Sequence, residues 1–588
     1  MGTISDKLMR IINTKEDIRQ ALISKGYDVP TSIPFKEYAK MISDLPCRVD
    51  SFPDIEGVVA RYSALGLTNE QMATNPVWVD KTGNGHDLQM KNFFWGGMSG
   101  VGGYVQDFNY FKNNATVDKI RIDEQNSNSI KVTILTTGIG NAIYIPKNIY
   151  QFNKSYFIKI SSEGYDEGDM ALSFYAPSTS TATTVTVSLN PNGVTEIPAI
   201  KEDDFLAVYI NVSGKVGSFT VEQLPLYPGA LVFDGVDDWA GCDNLPLLPK
   251  EKGYSIIALR NWITRYDATK YKRPLISNLD TNDEGAFLIE YRKYENVNDV
   301  TGSYNSFTDV YIDDNNPITW QTSSSYNGQI IKKGTSKSTN KLCICKTYFG
   351  QLSNYANAAI WEIVILDHDA TEEELTKIKD YFVKTYPWLF PDQAWTVVGK
   401  TNEDEDRATI ANITGNGNDL VLSNFGFAEG SGYNEEGEYA GYLVTDGVDD
   451  KIVSSAFGLG KDFTIVGDWK FIDNKKSGIG LVKASSFYIY NTMIGLDLYI
   501  NSGSVKNSLD GIKSINAACS DGRNYDRNWN EILANTGNVV GSGGILEVSS
   551  SGGRFDRIAF KNLAIYPRIL SKDDCIKAYN YLQTLKAK

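Results

Sequence analysis

Between residues 105 and 228 apolar and polar positions alternate in short runs: KIRI (119–122), SIKVTIL (129–135), YFIKI (156–160), ALSFY (171–175), TVTVSL (184–189), FLAVYI (205–210) and SFTVEQL (218–224). Turn signals such as Asn190-Pro191-Asn192-Gly193 and Ser213-Gly214 separate them. A period of two, repeated at regular spacing, predicts the strands of a β-sandwich. The first 48 residues follow a different period. Thr14-x-x-Asp17 resembles a capping box, Ile18, Ala21 and Leu22 follow at helical spacing, and Gly26 is placed to cap the end. Ser32 and Pro34 open a second helix with Phe35, Tyr38, Ala39 and Ile42 on one face. Two small helices bury little by themselves, so residues 1–48 are expected to be a docking or oligomerisation segment, or a cap on the sandwich that follows.

The rest of the chain repeats itself. Thr82-Gly83-Asn84-Gly85-His86-Asp87-Leu88 returns as Thr414-Gly415-Asn416-Gly417-Asn418-Asp419-Leu420, and Asn92-Phe93 returns as Asn424-Phe425. Asp234-Gly235-Val236-Asp237-Asp238 returns as Asp446-Gly447-Val448-Asp449-Asp450, at a shorter offset. Each copy closes on an apolar run, Ala359–Ile365 or Arg557–Ile565, and then a helix with a capping pair, Thr371 with Glu374 or Ser571 with Asp574. The first copy is therefore split by the alternating segment, which reads as a complete sandwich placed in a loop whose ends lie close together. The expected domains are 1–48, a first repeat over 55–104 and 229–390, an inserted sandwich over 105–228, and a second repeat over 395–588.

Composition narrows the function. The chain has 588 residues, 42% of them hydrophobic and 22% charged, with 34 Tyr and 25 Phe, which suits β structure with ordinary cores. A net charge of −15 excludes a nucleic-acid binder, which needs a basic stripe, and an anionic membrane would repel it. Neither a secretory leader nor a membrane span is evident, so folding in a reducing host cytoplasm is expected. The cysteines Cys47, Cys242, Cys343, Cys345, Cys519 and Cys575 are scattered without metal spacing and read as buried free thiols.

The run Ala230–Asp238 followed by Tyr254–Arg260, and the second run Tyr442–Asp450 followed by Phe463–Val466, resembles the laminin-G-like, concanavalin A-type jelly roll. Thr445 stands where that family has an aromatic residue, and Lys451 follows the last Asp. The inserted segment resembles a carbohydrate-binding module. The opening TKEDIRQALISKGYDVP…PFKEYAKMI resembles the start of structural proteins from phages of gut Bacteroides, the crAss-like group among them. The resemblance implies a mainly β chain: tandem concanavalin A-like jelly-roll sandwiches with an inserted β-sandwich and a short helical N-terminal segment. It also implies a head or tail fibre or appendage of a virion.

Catalytic chemistry is hard to assemble. His86 sits where the other copy has Asn418, so imidazole is not needed there, and His368 reads as a solvated turn. A Glu-x-Asp start occurs at Glu167 and Glu202, yet neither finds a third carboxylate. Glu403–Asp406 reads as a solvated loop. No cofactor is called for. Calcium is the metal candidate, through Asp237, Asp238, Asp449 and Asp450. Sugar stacking would use Trp320, Tyr326, Tyr525 and Trp529, which lie among Asn, Asp and Ser. The sequence thus predicts a non-enzymatic virion protein and a homotrimer. It would dock on other virion proteins through its N-terminus and meet glycans, without nucleic acid or membrane insertion. A secreted bacterial lectin and a polysaccharide-degrading enzyme are the alternatives.

Overall fold

The computed structural model describes residues 52–587, with breaks of which the longest are 264–272, 279–286, 292–304, 309–317, 323–338, 347–354 and 534–541. The expected N-terminal helices lie outside the described residues, as do Cys47 and Tyr326. Ile55–Lys588 forms one compact unit. It is mainly β, with the described helices α1 (Asn69–Thr74), α2 (Glu372–Thr385) and α3 (Lys572–Leu582). None of them is long and apolar enough to cross a membrane.

The first repeat packs a six-stranded sheet on a seven-stranded one. The central strand of the first sheet, Asn357–Leu366, is flanked by Ser255–Trp262 on one edge. Its other edge is shared by Val58–Ser63 and Leu231–Asp234. Trp78, Leu88, Phe233, Ile256 and Ile344 fill the space between the sheets. The second repeat packs two eight-stranded sheets in the same way. Ile558–Tyr566 is flanked by Thr464–Phe471, and its other edge is shared by Gln393–Thr396 and Tyr442–Val444. Even a bulge is repeated. Register slips by one residue between Leu259 and Arg260, and again between Asp468 and Trp469, leaving Trp361 and Lys561 as the extra residues opposite. A bulge re-aims a side chain, and both of these side chains reach towards α3 or the residues beside it.

Tyr62 and Trp395 also correspond. The Tyr62 hydroxyl donates to the His86 carbonyl at 2.6 Å, and the Trp395 indole N–H donates to the Asn418 carbonyl at 2.9 Å. Each anchors the Thr-Gly-Asn-Gly loop by the same carbonyl, whichever ring supplies the donor. Asp80 ties down that loop in the first repeat, accepting from the Thr82 hydroxyl and amide and the His86 amide, and Asn412 accepts from Thr414 in the second.

The strands from Lys112–Asn113 to Gly217–Gln223 pair only among themselves, as two five-stranded sheets around Ile130, Ile145, Phe174 and Val221. Three of their strands, Lys112–Asn113, Ala142–Pro146 and Val194–Ile197, are additional to those the alternation predicts. The chain enters and leaves this guest sandwich side by side: the Tyr227 and Leu226 amides donate to the Gly102 and Gly103 carbonyls at 2.8 and 2.9 Å.

Helix α3 is where the modules meet. Ser571 caps it by accepting from the Asp574 amide. Its buried residues Tyr579, Asn580 and Tyr581 each look towards a different neighbour. Tyr579 packs edge-on to Phe157 of the guest at 5.3 Å, Asn580 donates to the Pro225 carbonyl at 3.4 Å, and Tyr581 packs edge-on to Trp361 of the first repeat at 6.1 Å.

Candidate functional site

The two Asp-Gly-Val-Asp-Asp turns are built alike. Gly235 takes φ 75° and Gly447 φ 73°, a region open to glycine at little cost. In the first turn Asp234 Oδ1 accepts the amides of Val236, Asp237 and Asp238 at 2.7, 3.3 and 3.4 Å, and Asp238 Oδ2 accepts the Asp234 amide at 3.1 Å. In the second, Asp446 Oδ1 accepts from Val448 and Asp449 at 2.7 and 3.3 Å, and Asp450 Oδ2 from the Asp446 amide at 2.7 Å. Asn92 and Asn424 donate to the Asp237 and Asp449 carbonyls, each at 3.0 Å. The two families of repeated motif, spaced differently along the chain, thus meet in each copy through one equivalent hydrogen bond. Val236 and Val448 stand at the tips, 70% and 69% exposed.

Each turn gathers three carboxylates, Asp234, Asp237 and Asp238 or Asp446, Asp449 and Asp450, with ligand atoms within 4.8 Å of one another. The first aspartate of each trio escapes notice in sequence because its work is to cap amides. Burial pushes the Asp238 carboxyl up to about 7 and that of Asp450 up to about 6. Asp450 Oδ1 accepts the Ser431 hydroxyl at 3.1 Å. Asp238 Oδ1 lies beside Ser99 but lacks a well-formed hydrogen bond. Calcium takes six to eight oxygens. The first turn, with that oxygen and both of Asp237 uncommitted to the turn's own amides, fits such an ion better than the second.

The aromatic expectation needs correction. Tyr525 and Trp529 are buried, not offered to solvent. Asp526 Oδ1 accepts the Asn528 and Asn530 amides at 2.9 and 2.8 Å, curling the loop under α3. Trp529, at φ 60°, then packs edge-on to Tyr579 at 5.6 Å and lies 6.2 Å from Tyr525. The loop's polar residues fold the turn while its rings fill the module boundary. Trp320 lies on strand Ile318–Thr322 opposite Ile257. Its side chain, like all of Tyr326, is outside the described residues.

His368 also departs from the expected solvated turn. Its ring lies 3.1 Å from Asp367 and 3.2 Å from Glu374, the capping-box residue of α2, and these carboxylates pull its pKa up against the opposing effect of burial.

A charged cluster at the junction has no signature in sequence spacing. Arg527 Nη2 lies 3.7 Å from Glu196 Oε2 of the guest and 3.6 Å from Asp468 Oδ1. Tyr442 donates to Asp468 Oδ2 at 2.8 Å, Lys561 stands 3.9 Å from the same oxygen, and Lys470 lies 4.5 Å over the Tyr442 ring. The Glu196 side chain is 22% exposed, yet desolvation and the Asp468 charge push its pKa up. Two carboxylates and three cations thus gather where the guest meets the second repeat. A second buried pair belongs to the first repeat alone. Arg61 Nε donates to Glu362 Oε1 at 2.6 Å, and Tyr386 donates to Glu362 Oε2 at 2.9 Å. Burial pushes Glu362 up to about 7. The second repeat has neutral Asn562 at the matching position.

No family model matches the chain, and no curated protein does. Among solved structures, a Trypanosoma rangeli sialidase in complex with the inhibitor DANA aligns at 8% identity and TM-score 0.23, over 77% of this chain and 82% of that one. A truncated AlyQ with CBM32 and alginate lyase domains aligns at 7% and 0.16, over 78% and 97%. The botulinum neurotoxin serotype D binding domain aligns at 10% and 0.15, over 88% and 97%. Overlaps this slight decide neither fold nor function, which rest on the strands and side chains themselves.

Proposed function

We propose that this chain is a non-catalytic display protein of a phage particle, a head or tail fibre or appendage whose lectin-like sandwiches meet glycans of a host surface or the environment. The observation that supports it best is α3. One helix touches the guest and both repeats, as a protein that must hold several binding modules at fixed angles requires. Residues 1–48, by their resemblance to phage structural proteins, would dock on other virion proteins, and three copies would assemble around them. Electron microscopy of particles carrying the full chain or a chain lacking residues 1–46 tests this. The full chain should appear on the particle and the shortened one should fold without joining it. Normal incorporation of the shortened chain would count against docking.

A bacterial glycan-binding lectin would use the same sandwiches and differs in where the protein is found, so the same particles separate the two. A glycan-degrading enzyme is less well supported: the two carboxylates at the module junction, Glu196 and Asp468, both face Arg527.

For the metal we propose that Asp234, Asp237 and Asp238 would hold a calcium ion, because within this trio Asp238 Oδ1 is buried and lacks a well-formed partner. Calorimetric titration should register binding that Asp238→Asn removes and Asp450→Asn leaves. No heat with the unaltered chain would dismiss the site.

A further inference from the structure

The two sheets of the guest sandwich have different surroundings. Phe157 and Glu196 are cross-strand partners on one of them, and both look into the junction with α3 and the second repeat. The other sheet sets Met170–Tyr175, Ala207–Val212 and Ala142–Pro146 side by side. Leu172 and Phe174, Val208 and Ile210, and Ile143 and Ile145 point from it into the core. Alternation therefore turns Ser173 and Tyr175, Tyr209 and Asn211, and Tyr144 outwards. Tyr209 stands directly opposite Tyr144 on one side and Ser173 on the other. Its ring centroid lies 5.6 Å from that of Tyr144, at an angle of 30°, and 6.0 Å from that of Tyr175, which stands across it at 83°. Tyr175 is 46% exposed, and none of the three rings belongs to the core of the guest. A row of neutral polar groups runs beside them. Asn211 Nδ2 donates to Ser173 Oγ at 2.8 Å, and Ser173 Oγ lies 3.4 Å from Thr186 Oγ1 on the neighbouring strand.

Three aromatic rings left partly in water give folding less than they would inside the core, and a cluster of them marks a contact surface. Braced by one another, they lose little freedom when a ligand arrives. Charge narrows the partner. Among the paired positions of this face only Lys112, on the edge strand, is charged. The net charge of −15 works against an acidic polymer and a second copy of the chain alike. Aromatic faces with hydroxyls and an amide alongside suit a ring that carries C–H groups on its faces and hydroxyls on its rim. We propose that Tyr144, Tyr175 and Tyr209 form the platform on which the guest binds an uncharged polysaccharide, a site that presupposes the glycan-binding reading above and gives it a place on the chain. The sugar rings stack on the tyrosines, and Asn211, Ser173 and Thr186 bond to the sugar hydroxyls. The platform lies on the sheet opposite the junction, so the guest presents it while α3 holds the other sheet.

Native electrophoresis of the full chain tests this, through gels containing dextran, galactomannan or mixed-linkage β-glucan, with polygalacturonate as the acidic comparison. At least one neutral gel should retard the unaltered chain. Tyr175→Ala should raise the apparent Kd about tenfold, and Tyr144→Ala combined with Tyr209→Ala should abolish retardation. Tyr175→Phe, which keeps the ring, should retain most of it. Phe94→Ala, which removes an exposed ring of the first repeat, should change nothing. Because Tyr175 stands partly in water, its single replacement keeps the test decisive even if the double variant folds poorly. Retardation that survives the tyrosine variants would overturn the platform and leave the glycan-binding reading standing. Retardation by polygalacturonate alone would overturn the uncharged class. Absence of retardation in every gel would remove the platform and the glycan-binding reading together. A dimer in sedimentation that Tyr175→Ala dissociates would overturn the platform by giving the face to a second copy.

Discussion

Phe157 of the guest sandwich and Tyr579 of helix α3 meet edge to face with ring centroids 5.3 Å apart, although more than four hundred residues separate them in sequence. Tyr579 also receives the edge of Trp529 at 5.6 Å, so one ring closes the junction from both sides. Tyr579→Ala should destabilise the protein by about 3 kcal/mol through lost contact and the cavity left behind. Urea denaturation gives the loss. Limited proteolysis should show earlier cleavage near residues 224–228, where the guest rejoins the first repeat.

Glu362 supplies a second prediction. Its replacement by Gln leaves the Arg61 guanidinium buried without a counter-charge, at a cost of about 3–5 kcal/mol. Asn562→Ala, at the matching place in the second repeat, removes neutral hydrogen bonds to the Asp468 amide and the Leu582 carbonyl, and should cost only about 1–2 kcal/mol. Equal losses in chemical denaturation would show that the pair carries no special weight.

The glycines of the aspartate turn and of the Thr-Gly-Asn-Gly loop should differ. A Cβ on Gly235 would stand 2.6 Å from the Asn357 Cβ, in addition to its strained φ of 75°. Gly83, at φ 79°, has nothing within 4 Å of the added atom. Gly83→Ala should therefore cost about 1 kcal/mol for backbone strain alone. Gly235→Ala should cost at least about 2 kcal/mol, since strain and overlap add. The two melting temperatures check the order.

Acid should stabilise the fold. Asp238 is raised from 3.8 to about 7 and Asp450 from 3.8 to about 6, so between these values the folded chain binds more protons than the unfolded one. Their contribution is full below about pH 4 and is lost as pH climbs to 7. His368, raised from 6.5, acts in the same direction at its upper edge. The melting temperature should therefore fall from pH 5 to pH 8, and Asp238→Asn should flatten that slope. A midpoint that rises over this range would contradict the assignment.

Much of this was readable beforehand, for definite reasons. Alternation exposes a strand with one wet face, so the runs holding Ile130 and Val132, or Phe219 and Val221, stand out. Val194–Ile197 is short and mostly buried, and shows no such contrast. The Asp-Gly-Val-Asp-Asp turns repeat because one hydrogen-bond pattern requires them, and the capping residues Thr371 and Ser571 mark α2 and α3 plainly. What spacing hides is contact between modules. Arg527 and Trp529 sit in a loop whose composition suggests a sugar platform, yet Glu196 and Tyr579, distant in sequence, cover them.

Binding without turnover is the core of this account. The direct measurement incubates the full chain with host-surface polysaccharide and records, in one experiment, polysaccharide retained on the protein and reducing ends released. The account predicts retention with no release above that of the polysaccharide alone. Steady release, abolished by replacing Glu196 or Asp468, would contradict it.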